Sequence, residues 1–401
     1  MRRRLTLVLV LALGIGVAAG GAVAEPLDVA VGKALFDRVW VPSPASTRGS
    51  DGLGPLHSAR SCAACHAGGG GSKTAAQSDG SLDPSELVVR LGTDAGPGDP
   101  VYGLQIQRMG TAQVAPEATV TVDLAPSPSP DLGPTIIGIR LDALAYGPLD
   151  ARTRIEARRA PSLRGIGWLA QIPQATLEAM ADPEDRNGDG VSGRLGNGRF
   201  GWKAMEPTVV TQTEAALVTD LGLSTPHRPS HAGDCTRGEA ACMTAPHGND
   251  GHAEGVEIPS DALRALVAYV AALPAPRSSA DADGSALFAK TGCAACHVPA
   301  LNSAGGRPVP AFTDLLLHDL GPGLAGGFPE GTASPSEWRT APLWGLGVGV
   351  RRGDRFLHDA RAATVDEAIR WHGGEAASAR ARYLALTPNE ATRLLAYLEG
   401  L

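Results

Sequence analysis

Hydrophobic residues recur with helical spacing in three stretches of the chain. Residues 29–40 carry Val, Leu, Phe and Trp at intervals of three or four, and residues 260–273 repeat this spacing up to Pro274. Residues 388–398 follow the same pattern near the end of the sequence. This period of about 3.6 residues predicts three amphipathic helices.

Two other stretches alternate between apolar and polar residues. Residues 114–124 and 135–141 have this strand-like pattern, and a segment rich in Pro and Ser separates them. They predict a β-hairpin. Between residues 155 and 180 the pattern favours helical segments that are broken at Pro161 and Pro173.

Small residues, Pro and charges in residues 275–283 indicate a linker between two units. The units are residues 25–275 and 276–401. Each has a Cys-Ala-Ala-Cys-His pentapeptide near its start and an amphipathic helix near its end. We therefore expect a mainly α fold with two cytochrome c-like haem domains, the N-terminal one with large insertions that include a small β insertion.

The first 24 residues have the features of a secretory signal. Three arginines precede an apolar run, and Ala22-Val23-Ala24 provides the small residues of a cleavage site. An uncleaved anchor is the alternative, although the run is short for a membrane span. No later run is long enough to insert, so we expect a mature periplasmic protein without stable membrane insertion.

The charge balance narrows the choice of partners. Without the three arginines of the signal, 32 basic residues face 42 acidic ones, a net charge of −10. An acidic surface argues against binding to nucleic acid or anionic membranes. It suits docking to a basic redox protein, although solubility alone also explains it.

Four of the six cysteines lie in the two pentapeptides. Cys62, Cys65 and His66 form the first C-x-x-C-H motif, and the second contains the residues Cys293, Cys296 and His297. This motif attaches c-type haem through two thioethers, and its His supplies an axial nitrogen to the iron. A redox-active dithiol would be expected within a βαβ unit. A zinc site would take its four ligands from the two motifs together. The His after each motif favours two covalently bound haems.

Cys235 and Cys242 lie in a segment rich in Gly, His and Pro, with no His directly after them. In an oxidising compartment the simplest prediction is a disulfide that closes a short loop. Reactive thiols are the alternative.

Residues 185–192 resemble the first part of a calcium-binding loop. Side-chain oxygens stand at loop positions 1, 3 and 5, Gly at position 6 and a backbone carbonyl at position 7, so the predicted ligands are Asp185, Asn187, Asp189 and Val191. The Glu expected at position 12 is missing. An ion-free turn is therefore the alternative to calcium.

Several motifs together resemble the di-haem oxidoreductase family, some members of which carry the label thiol oxidoreductase. The family is related to bacterial di-haem cytochrome c peroxidases and to the methylamine-utilisation enzyme MauG. The stretches that carry the resemblance are residues 51–56, 198–204, 312–321, 337–344, 357–359 and 364–372.

The resemblance implies a distal ligand for the second haem. In the relatives, this ligand is the ninth residue of a run that begins with Thr and contains Glu, and it is Met or Tyr. Here the run begins at Thr364 and its ninth residue is His372. We therefore predict that His297 and His372 both bind the second iron; a surface His at a helix end is the alternative.

The resemblance also implies an open face on the first haem, with a Gln and a Glu above it. Gln107 and Glu117 have the expected ten-residue spacing, and Gln105 competes with Gln107. The Glu would move a proton between the oxygens of peroxide, and the Gln would orient it. The Trp that the relatives place between their haems has no counterpart ahead of Gln107, so electron transfer would need another bridge.

These features predict a di-haem oxidoreductase that takes electrons from a redox protein such as a small cytochrome and reduces a small oxidant such as peroxide. A di-haem electron carrier with both irons six-coordinate is the first alternative. An enzyme that oxidises thiols through Cys235 and Cys242 is the second.

Overall fold

A computed structural model describes residues 25–127, 135–249, 254–279 and 281–401. The predicted signal lies outside these residues. The helices are α1 (Pro26–Asp37), α2 (Cys62–Cys65), α3 (Ile166–Ala170), α4 (Gln174–Met180), α5 (Val209–Leu221), α6 (Ala240–Met243), α7 (Ser260–Ala272), α8 (Ala282–Lys290), α9 (Leu346–Arg352), α10 (Val365–Trp371), α11 (Ala377–Leu384) and α12 (Pro388–Glu399).

The strands form small antiparallel sheets. They are β1 (Leu56–His57), β2 (Ser81–Leu82), β3 (Leu87–Thr93), β4 (Gly96–Pro97), β5 (Gln105–Ile106), β6 (Met109–Gly110), β7 (Thr119–Pro126), β8 (Thr135–Asp142), β9 (Arg154–Arg159), β10 (Leu301–Asn302), β11 (Pro308–Val309), β12 (Leu317–Asp319) and β13 (Glu337–Arg339).

The expectation of a mainly α fold was wrong. The structure is 31% helical and 17% strand, which makes it a mixed α and β fold. The predicted hairpin is present as β7 and β8, with Val120 opposite Leu141. A second sheet was not foreseen: β3 is its centre and pairs with β4, β5 and β9.

Strand β9 replaces the helix expected at the start of residues 155–180. Its sequence, Arg-Ile-Glu-Ala-Arg-Arg, lacks the alternation of apolar and polar residues that predicts a strand, because the charged Arg158 occupies a buried position. Arg158 is buried there between the carboxylates of Glu156 and Glu330. Burying a paired charge is tolerable where an unpaired one is not, so an arginine here is compatible with a buried strand.

Two helix crossings have the same construction. Helix α1 packs on α7, and α8 packs on α12. A Cβ on Gly32 of α1 would overlap the backbone of Ala265, and one on Gly284 of α8 would overlap Tyr397. Glycine therefore allows each pair of helices to approach closely. We call the part from α1 to α7 the first unit and the part from α8 to α12 the second unit.

The crossings are also tied to a third helix in each unit. Gly165, before α3, donates its N–H to the carbonyl of Leu273 at 3.1 Å, and Gly345, before α9, donates to Leu401 at 2.9 Å. Both glycines have a positive φ, 79° and 75°. The main hydrophobic core of each unit surrounds its crossing, with Phe36 in the first unit and Phe288 in the second.

No helix in the described part of the chain is both long and apolar enough to cross a bilayer. The boundary predicted at residues 275 and 276 falls between α7 and α8.

We expect Gly284→Ala to destabilise the protein by roughly 1–3 kcal/mol, because the added methyl overpacks the crossing of α8 and α12. Urea unfolding measures this change. Gly49→Ala is the matched control, since a Cβ at that position meets no atom within 4 Å. Equal stability of the two variants would contradict the close-approach explanation.

Candidate haem sites

Both pentapeptides open onto one large cavity. Its volume is about 1420 Å³, and its wall includes the two cysteines and the His of each motif. This exceeds the roughly 300–1,000 Å³ of ordinary ligand sites. A cavity of this size, with a C-x-x-C-H motif on each side, fits two large flat ligands rather than one small substrate.

The first motif is held by a short helix at the start of the fold. Ser61 caps α2 by accepting the N–H of Ala64, and Cys62 and Cys65 occupy the two ends of the turn. The Nδ1 of His66 donates to the carbonyl of Gly70 at 3.0 Å. Burial lowers the pKa of His66, which keeps its imidazole neutral.

The second motif has a matching arrangement. The Nδ1 of His297 donates to the carbonyl of Phe312 at 3.0 Å. The Nδ1 of His372 donates to Ala368 at 2.7 Å. Histidines that bind metals usually donate their other N–H in this way, which fixes the tautomer and leaves Nε2 as the ligand atom. All three predicted iron ligands therefore make the second-sphere contact that is usual for metal-binding histidines.

His297 and His372 lie near each other on the cavity wall. Burial lowers the pKa of His297 to about 4, and the neighbouring imidazole of His372 contributes to this shift. Helix α10 sets the position of His372. Thr364 caps this helix by accepting the N–H of Glu367, and His372 directly follows its last residue.

A buried ion cluster supports the second motif. His318 contacts Asp314 at 2.8 Å and Glu375 at 2.7 Å. Burial lowers the pKa of His318, but its hydrogen bonds to these acids and to Cys296 outweigh burial and raise it to about 12. Both ring nitrogens of His318 are thus engaged by carboxylates, which holds the ring in the wall beside Cys296.

The segment that carries His372 is repeated in the first unit. Phe356 exchanges backbone hydrogen bonds with Ala362, and Phe200 does so with Glu206, six residues further along in both cases. Ala360 and Ala204, four residues after each Phe, both have a positive φ, 66° and 51°.

The correspondence continues into the next helix of each unit. Thr208 caps α5 as Thr364 caps α10, and Val follows both. The ninth residue from the capping Thr is His372 in the second unit and Ala216 in the first. Both residues line the cavity. The first unit therefore presents a methyl group at the position equivalent to the imidazole of the second.

The structure brings Gln107 and Glu117 together, but behind the cavity wall. The N–H of Gln107 donates to Glu117 at 2.7 Å, and its side chain is engaged by Ser58 and by the carbonyl of Thr219. Burial raises the pKa of Glu117 to about 10, assisted by the charge of Glu239. Neither Gln107 nor Glu117 is among the described residues that line the cavity, so their catalytic role stays a prediction.

Gln105, the competitor of Gln107, does line the cavity, as does Asp220. The Nε2 of Gln105 donates to Oδ1 of Asp220 at 2.9 Å. Asp220 was not among the residues predicted from the sequence. The repeat of α5 and α10 could have identified it, because Asp220 lies one helical turn after Ala216.

Aromatic side chains of the first and second units contact one another in the cavity wall. The indole of Trp338 stacks on His358 with ring centroids 3.7 Å apart, and Trp202 meets the same His at 6.4 Å. The Nζ of Lys203 lies 3.6 Å from the ring centroid of Trp338 and donates to three backbone carbonyls. Burial lowers the pKa of Lys203 to about 7.

Cys235 and Cys242 are joined in a disulfide in the structure. The loop that they close contains Glu239, whose side chain forms a hydrogen bond with the carboxyl of Glu117. The cysteine pair lies outside the cavity wall as far as the described residues define it.

The predicted calcium loop is an Asx-rich turn. Asp185, Asn187 and Asp189 each accept a backbone N–H from within the loop. The described residues contain no group of three or more His, Cys, Asp or Glu arranged to hold a metal ion. Ser192, at the end of the loop, donates to Glu375, which links the loop to the cluster beside the second motif.

A family model described as "Di-haem oxidoreductase, putative peroxidase" matches residues 194–401, just over half of the chain. The chain belongs to the di-haem oxidoreductase family. It is therefore an oxidoreductase with haem cofactors, as the resemblance predicted. The matched region contains the second pentapeptide and both repeats of the segment before α5 and α10; the first pentapeptide precedes it.

No curated relative matches the sequence. Among solved structures, the chain has a limited similarity to hydrazine synthase from Kuenenia stuttgartiensis, with 21% identity and a TM-score of 0.26. The similarity covers 35% of this chain and 55% of that one, so the chain spans about half of the length of that protein.

Replacing His372 by Ala should convert the second haem from low-spin to high-spin, because the iron would lose its sixth ligand. Electronic absorption and electron paramagnetic resonance spectra measure the change. His227→Ala, at a side chain that is 74% exposed, serves as the control. A low-spin spectrum retained in H372A would rule out ligation by His372.

If calcium binds this loop, it should raise the midpoint of thermal unfolding, since an ion bound only by the folded state stabilises it by roughly 2.7 kcal/mol at one hundred times its Kd. Differential scanning calorimetry with calcium or a chelator tests this. Asp189→Asn should weaken the response, and Asp79→Asn, outside the loop, should not. An unfolding midpoint unaffected by chelator would eliminate the site.

Proposed function

We propose that the protein is a periplasmic di-haem peroxidase in which each pentapeptide binds a haem covalently. The observation that carries the proposal is the pairing of Ala216 with His372 at equivalent positions of the two units. An imidazole at this position would hold the second iron. A methyl group would leave the first iron accessible to a small oxidant.

The haem irons, when bound, supply the one-electron redox chemistry and an axial site for peroxide. The chain's own residues set which iron does what. His297 and His372 would both hold the second iron, which suits electron transfer and would keep peroxide from that iron. His66 would hold the first iron, and α5 would present Ala216 instead of a second imidazole.

Aromatic residues of the wall provide the bridge that the missing Trp would otherwise supply. On the side of the second haem, Cys296 lies 3.6 Å from the ring of His318, which pairs across β12 and β13 with Trp338. Trp338 contacts His358, and His358 contacts Trp202. We infer that electrons pass from the second haem to the first along this wall.

The electron donor is proposed to be a small redox protein with a basic docking face. The acidic balance of the chain without its first 24 residues supports this partner, because opposite charge accelerates encounter. The signal-like N-terminus and the C-x-x-C-H motifs both support maturation outside the cytoplasm, where c-type haem attachment and disulfides are compatible.

Replacing Ala216 by His should close the first haem. An imidazole placed where His372 stands in the other unit would bind the first iron, turn it low-spin and abolish its uptake of cyanide or carbon monoxide. Peroxide turnover should fall at least a hundredfold. Ala216→Ser, which is small and cannot supply a strong ligand, is the matched control.

The same measurements on the wild type distinguish the peroxidase from an electron carrier. Uptake of cyanide by one of two haems supports the peroxidase. If neither haem of the wild type takes up an exogenous ligand, both irons are six-coordinate and the proposal fails in favour of the carrier.

A further inference from the structure

Three residues on one face of α5 lie along the cavity at intervals of one helical turn. They are Gln212, Ala216 and Asp220, and all three line the cavity wall. Residues four apart in a helix have Cβ atoms roughly 5–6 Å from one another on the same face. An amide and a carboxyl therefore flank the methyl group that stands at the proposed open position.

Gln212 lines the cavity, and its Oε1 is buried without a hydrogen-bond partner within the described residues. Buried polar atoms are almost always paired in folded proteins, so an unpaired one on a cavity wall indicates a place where a bound molecule donates a hydrogen bond.

Asp220 is held in place from a different element. Gln105 of β5 donates to its carboxylate at 2.9 Å, and the same amide also donates to the carbonyl of Thr219 at 3.1 Å. Asp220 lies beside the first haem motif, because its backbone carbonyl accepts the N–H of Ser58 at 2.8 Å and that of Ala59 at 3.1 Å. Burial raises the pKa of Cys62 and of Cys65, and the negative charge of Asp220 adds to this rise. The side chain is therefore fixed on the first-haem side of the cavity.

We propose that Asp220 is the acid–base residue at the open face of the first haem, that Gln212 orients the bound oxidant and that Gln105 is a positioning residue for Asp220. This assignment rests on the proposed function and adds the groups that move protons in it. It differs from the assignment of Glu117, which lies behind the cavity wall.

Asp220 transfers one proton between the two oxygens in the proposed reduction of hydrogen peroxide. The carboxylate of Asp220 accepts the proton of the oxygen that approaches the iron, and it returns this proton to the outer oxygen as the O–O bond breaks and water leaves. Two electrons come from the donor redox protein through the haems. Two further protons come from solvent, so that each peroxide gives two water molecules.

The charges around Asp220 suit this exchange. Burial raises the pKa of Asp220, while the hydrogen bond from Gln105 and the positive charges of Arg90 on β3 and of Arg108 oppose that rise. A carboxyl with a raised pKa exchanges protons more readily near neutral pH than an ordinary one. The carboxylate form, which accepts the proton, is present above this raised pKa and is lost as the pH falls through it.

Cyanide association with the ferric first haem is the test, because hydrogen cyanide must lose a proton to a nearby base as it binds. We expect Asp220→Asn to slow association on the order of a hundredfold and to remove the acid limb of its pH dependence. Asp220→Glu should restore most of the rate. Asp283→Asn, at a side chain that is 80% exposed, is the control for a change of charge.

Haem stoichiometry and the low-spin spectrum of the second haem, measured on each variant, show whether the fold is intact. If D220N keeps the wild-type rate, or if E117Q is slow while D220N is not, the assignment of Asp220 is overturned and the proposed function stands. If the wild type takes up no cyanide, the open face does not exist and both proposals fall.

Discussion

The fold depends on the filling of one large space that its two units share. Aromatic residues make up only 4% of the chain, so side chains alone do not provide the flat apolar bulk that a space of about 1420 Å³ needs. The haem groups implied by the family would therefore add apolar bulk to the interior as well as supply the chemistry.

The two units share one architecture, and the proposed function gives them two different iron environments. The helix crossings, the glycines before α3 and α9, and the turns after Phe200 and Phe356 are alike in both units. The difference is concentrated in the helix that follows. Helix α10 ends just before His372, whereas α5 continues past Ala216 for another turn and reaches Asp220. In the proposed function, a change at one position and a longer helix would be enough to exchange a closed site for an open one.

The sequence alone predicted the features that depend on local order. Period and capping identified the helices near residues 29–40, 260–273 and 388–398 and the hairpin, and residue chemistry identified both haem motifs. It did not predict β9, because Arg158 occupies a buried position that is acceptable only with its paired carboxylates, one of which belongs to the distant Glu330. It also missed Asp220, whose significance depends on a repeat between helices of 13 and 7 residues. Both features depend on residues that are far apart in the sequence.

The contact between Lys203 and Trp338 has a consequence for how the protein withstands its own reaction. An ammonium 3.6 Å from the indole ring makes removal of an electron from that ring less favourable, because the resulting radical cation would face a like charge. Whenever Lys203 is protonated, Trp338 resists oxidation by a strong oxidant formed nearby. In the proposed electron path, the side chain would then couple the haems without itself becoming a site of oxidative damage.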